Sequence, residues 1–151
     1  MLEISHITDQ LQQAFYGEAW HGPALMELLA GVGADIAAAH PLSAGHSIWE
    51  IVLHLTAWNR ALLRRLDGEA IELRGSEDWP PVPKFSDTEW QQAVRALESS
   101  HLNLYEAIAA LPPSRLTETV PGKDYNVYFM LQGLVHHYLY HAGQIGLLKK
   151  A

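Results

Sequence analysis

The stretch 127–149 constrains the fold most. Val127, Met130, Leu131, Leu134, Tyr138, Ile145 and Leu148 recur at a spacing of three and four, and His137 and His141 fall in the same stripe. Side chains three and four apart share one face of a helix, whereas a strand repeats every second residue. No segment of the chain sustains alternation with period two. Three further runs share the helical spacing. Residues 4–16 carry Ile4, Ile7, Leu11 and Phe15. Residues 47–66 carry Ile48, Ile51, Val52, Leu55, Leu62 and Leu66. Residues 86–111 carry Trp90, Val94, Leu97, His101, Leu104, Ile108 and Leu111.

The punctuation agrees with these runs. Ser47 with Glu50 three residues later forms a capping-box pattern. Gly68 suits the end of that helix. Ser86 or Asp87 can cap the next helix, and Pro112-Pro113 ends it. Pro23 can open a short helix through Leu29, and residues 34–39 form another short turn. Residues 68–85, with Trp79-Pro80-Pro81-Val82-Pro83, read as an extended crossover, and residues 114–126 form a second loop. Together these features predict an all-α four-helix bundle with short additional helical turns, spanning residues 1–151 as a single domain.

The charge and residue types narrow the function. A net charge of −7 argues against a nucleic-acid surface. No apolar run resembles a signal peptide or reaches transmembrane length, so a cytoplasmic protein without a membrane partner is expected. Cysteine is absent, which removes disulfides and thiolate ligands and leaves nine histidines as the main soft donors.

His137 and His141, four apart, can hold one metal ion from the same side of a helix. His54 lies at the edge of another apolar helical face and is the candidate third donor. Each can also be a core imidazole satisfied by a carbonyl or hydroxyl. Glu50, four residues before His54, can orient it or simply pair on the helix surface. Trp20, His21 and Trp58 are candidates for a cleft wall. Tyr138 and Gln144 can orient a ligand or serve packing. His101 occupies a core register and reads better as a hydrogen-bonded core residue than as a fourth donor. His136 turns outward with Phe129, Tyr140 and Leu147, a strip that fits a homodimer surface. His-Glu-x-x-His, a paired Glu-x-x-His set, a phosphate loop and a Gly-x-Ser-x-Gly elbow are all absent.

Three stretches carry a family likeness. They are Ala19-Trp20-His21-Gly22-Pro23-Ala24-Leu25, then the nine residues from His46 to His54 with Trp58 after them, and then Gly133 through Ile145 with its His137 and His141. In these the chain resembles the DinB/YfiT-like superfamily of metal-dependent enzymes. The resemblance implies a four-helix bundle, commonly dimeric. It implies a divalent ion held by one histidine of the second main helix and two of the last, which fall on His54, His137 and His141. It also implies low-molecular-weight thiols such as mycothiol, bacillithiol or glutathione as substrate or cofactor.

The expected function is therefore that of a divalent-metal-dependent enzyme with a three-histidine site. Zinc or nickel suits three imidazoles best. Such an enzyme would act on a small-molecule substrate as a thiol-dependent transferase or a hydrolase. The rival readings are a non-catalytic metal- or ligand-binding bundle and a plain helical interaction module.

Overall fold

The computed structural model describes residues 2–151. Four long helices, α1 (Leu2–Phe15), α4 (Ile48–Leu66), α5 (Asp87–Ala109) and α6 (Val127–Leu148), are joined by two short ones, α2 (Leu25–Leu29) and α3 (Ala34–Ala38). Single 3-10 turns at Gly75–Glu77 and Pro113–Thr117 interrupt the two long loops. Among the described residues there is no strand, and no helix is long and apolar enough to cross a membrane.

Local chemistry sets the helix starts. Ser47 Oγ accepts from the Glu50 N–H at 3.1 Å, and Glu50 Oε2 accepts in return from the Ser47 N–H at 2.6 Å, so the capping box of α4 closes in both directions. Ser86, not Asp87, caps α5 by accepting from the Glu89 N–H. Asn126 caps α6 by accepting from the Phe129 N–H. The α2 helix starts two residues later than Pro23 predicts: Glu27 Oε1 accepts from the Ala24 N–H and makes Ala24 the cap. Gly68, at φ +95°, turns the chain out of α4 in a conformation that a Cβ would disfavour.

The four long helices pack as a ring, α1 against α5 and α6, and α4 against the same two. Ile7, Leu11, Phe15, Trp49, Leu55, Trp90, Leu97, Leu131 and Ile145 fill the centre, all nearly inaccessible to solvent. Such apolar burial is the main stabilising term of the bundle. The α2 helix leans on α6 and α3 on α4. The loop after α4 runs back along that helix. Arg65 holds it there, donating from Nε and Nη2 to the Ile71 carbonyl at 3.1 and 2.8 Å. This return brings Asp78 and Trp79 beside the middle of α4.

Candidate metal centre

His54 on α4 meets His137 and His141 on α6 where the two helices pack. One donor nitrogen from each lies within 4.8 Å of the others. His137 Nε2 sits 3.1 Å from His54 Nε2 and 3.1 Å from His141 Nε2. The facing positions follow from register: residues 137 and 141 stack one turn apart, and His54 faces them from across the groove.

The outer nitrogens show which tautomers are present. His54 Nδ1 lies 2.7 Å from the Asp78 carbonyl oxygen and 3.2 Å from Asp78 Oδ1. Both are acceptors, so Nδ1 carries the proton and donates. His141 Nδ1 donates to Gln144 Oε1 at 2.7 Å in the same way. The Nε2 atoms of His54 and His141 are then bare lone pairs. His137 Nε2 has at most one proton, so at most one of its two 3.1 Å contacts can be a hydrogen bond. Proton uptake does not relieve the crowding. Burial, then the neighbouring His141 and His54, hold His137 down at about 3; burial holds His141 at about 4 and lowers His54 as well.

A cation between the three nitrogens would resolve this arrangement. For zinc–nitrogen bonds of about 2.0–2.1 Å, neighbouring donors stand about 2.9 Å apart at right angles and about 3.4 Å apart at tetrahedral angles. The two spacings at His137, both 3.1 Å, lie between these limits, and the third pair lies within 4.8 Å. The donor set is compatible with a bound divalent ion.

The surroundings hold the rings in place. Trp79 is sandwiched between His46 and His54, with ring centroids 3.5 and 3.8 Å apart and planes within 7° of parallel. Asp78 Oδ1 accepts from Trp58 Nε1 at 2.7 Å, so one carboxylate ties Trp58 and His54 together. Trp58 and His137 border an apolar cavity of about 300 Å³ between the two helices.

Several candidate residues stand elsewhere. Trp20 is fully exposed and walls no cleft: the tight turn closed by the Ala19–Gly22 bridge carries its side chain outward. His21 borders a different, larger cavity between α2 and α6. Glu50 faces away from His54 because the capping box fixes its carboxylate at the Ser47 N–H, where His40 also reaches it at 3.0 Å. Tyr138 is wholly buried and donates to Asn59 Oδ1, so it touches no ligand. Gln144 meets the His141 ring itself. His101 lies in the core, bonded to Tyr138 and Gln12 and stacked on Phe15 at 3.7 Å. His136 is exposed.

Asp78 and Trp79 were not among the candidates. Their one signal in the sequence is an acid and an aromatic locked ahead of two prolines, in a loop that must pass over α4.

The DinB superfamily model matches residues 19–145, which include all three histidines and the loop that supports them. The chain belongs to the DinB superfamily. No curated protein and no solved structure matches it.

Proposed function

We propose that this DinB-superfamily protein is a divalent-metal-dependent enzyme acting on a small-molecule substrate, as a thiol-dependent transferase or a hydrolase. The convergence of three Nε2 atoms, two of them on buried rings whose outer partners force them to present lone pairs, carries the reading. Zinc or nickel suits this donor set. When bound, such an ion acts as a Lewis acid that lowers the pKa of a water or a thiol.

The protein's own residues supply the rest. His54, His137 and His141 hold the ion. Asp78 and Gln144 fix the tautomers of His54 and His141 and make them better donors. Trp79 covers the His54 ring and keeps water from it. The cavity bordered by His137 gives a small molecule a place beside the cluster. The expected co-substrate is a low-molecular-weight thiol. Such thiols are kept reduced in the cytoplasm, where this reading places the protein. A homodimer through the outward strip of α6 belongs to the same reading.

Elemental analysis of tag-free protein tests the proposal. About one transition-metal ion per chain is expected, with most of the affinity lost in His54→Ala and in His137→Ala while helical circular dichroism persists. Metal-loaded protein is then assayed with thiols and with hydrolysable esters. Failure to take up zinc, nickel or manganese would sink the metal reading. Tight metal binding without turnover would reduce it to a binding bundle.

A further inference from the structure

We propose that the cavity beside His137 is a subsite for a small apolar carboxylate, held at its far end by the Arg65 guanidinium and the Tyr125 hydroxyl. Arg65 is only 4% exposed. A buried guanidinium ordinarily has a carboxylate partner. Here its acceptors are neutral: Ile71 O takes Nε and Nη2, and Tyr125 Oη takes Nη1 at 3.2 Å. Among the described residues, no carboxylate oxygen lies within 4 Å of it. The nearby Glu72 is exposed and engaged by Lys123 at 2.8 Å. Three of the five N–H donors of the guanidinium are thereby used. The remaining two suit the planar oxygens of a carboxylate.

The cavity supplies the rest of the recognition. Arg65 and Tyr125 line it together with Trp58, Leu62, Phe129 and His137. Trp58 stacks near the guanidinium, with its ring 5.4 Å from Arg65 Cζ. At about 300 Å³ the space lies at the lower end for small-molecule pockets, which favours a compact aryl or branched alkyl acid. A ligand anchored at Arg65 lays its apolar body along Trp58 and Phe129 and turns its other end toward His137. That orientation rests on the metal reading above; the anion subsite does not.

The test uses metal-free protein, so that this proposal and the metal reading can fail separately. Phenylacetate and its neutral analogue phenylacetamide are titrated in turn, and the Trp58 indole N–H is followed by NMR. A saturable shift is expected with phenylacetate, with binding about tenfold or more tighter than that of the amide. Arg65→Gln is expected to erase this preference.

Because Arg65→Gln also removes the tether to Ile71, Gly133→Leu is the second variant. Gly133 is exposed and borders the cavity, and a Cβ there meets nothing within 4 Å. A leucine obstructs the cavity without disturbing the packing within the chain; because Gly133 also lies on the outward strip of α6, the variant's mass is measured beside the titration, and phenylacetate binding should be lost at an unchanged mass. Equal affinity for acid and amide, no saturable shift, or binding that survives Gly133→Leu would overturn the subsite. Phenylacetate binding by a protein that takes up no metal would overturn the proposed function and leave this subsite standing.

Discussion

His101 shows what burial does to a single imidazole. Its side chain is almost wholly enclosed by α1, α5 and α6. Ser100 Oγ donates to the Leu97 carbonyl, Asn59 Nδ2 donates to Ser100, and Tyr138 spends its one proton on Asn59. Tyr138 Oη can then only accept, so His101 Nδ1 donates to it, and the bare Nε2 is satisfied with the Gln12 amide turned so that its NH2 group faces the ring. The ring is neutral, because burial lowers its pKa from 6.5 to about 4. Between those two values the unfolded chain binds more protons than the folded one. The contribution of His101 is thus fully present above pH 6.5 and is lost as the pH falls toward 4, at about 1.4 kcal/mol per pH unit and roughly 3 kcal/mol in all. Urea denaturation from pH 7 to 4 checks this. The His101→Gln variant should start less stable yet lose less stability over that interval. Parallel losses in the two proteins would show that His101 is not the group responsible.

At the scale of elements, α4 depends on its first turn. Ser47 is fully buried, and its box with Glu50 satisfies two backbone donors that the helix leaves open. Ser47→Ala should cost about 1 kcal/mol, or somewhat more with the site buried, read as a lower denaturation midpoint at unchanged slope. This box was legible from a serine and a glutamate three apart, as α6 was from its apolar stripe and the His137/His141 pair from a spacing of four. Those features are local and follow from helix geometry. The same box explains why Glu50 does not orient His54: the spacing of four allowed that contact, but the nearer backbone N–H holds the carboxylate. Asp78 takes that place from a loop 24 residues beyond His54 in sequence, where no periodicity marks a contact. Its position depends on Arg65 pulling Ile71 back along α4, a tertiary contact with no sequence signature. Trp20 was unreadable for a related reason, since a turn can aim an aromatic ring inward or outward with the same residues.

For the whole molecule, the outward face of α6 is a continuous apolar strip that the bundle leaves uncovered. Phe129, Tyr140 and Leu147 are 65%, 66% and 71% exposed. They lie eleven and seven residues apart, so at 3.6 residues per turn they fall within about 20° of one line along the helix. Gly133 and Gly143 are exposed on the same side, and a Cβ at either would meet nothing within 4 Å. A partner helix can therefore approach the α6 backbone closely between the large side chains. A chain of net charge −7 has little reason to keep such a line of apolar groups in water unless a second copy covers it. Light scattering should give about twice the 16.8 kDa chain mass. Leu147→Arg should shift the protein toward the single-chain mass, because pairing the strips would then bury an unpartnered guanidinium from each copy. A cation in the last turn of α6 is also favourable to the helix, so the substitution should not unfold it. A wild-type mass that stays at one chain over a hundredfold range of concentration would remove the dimer and leave the strip as plain surface.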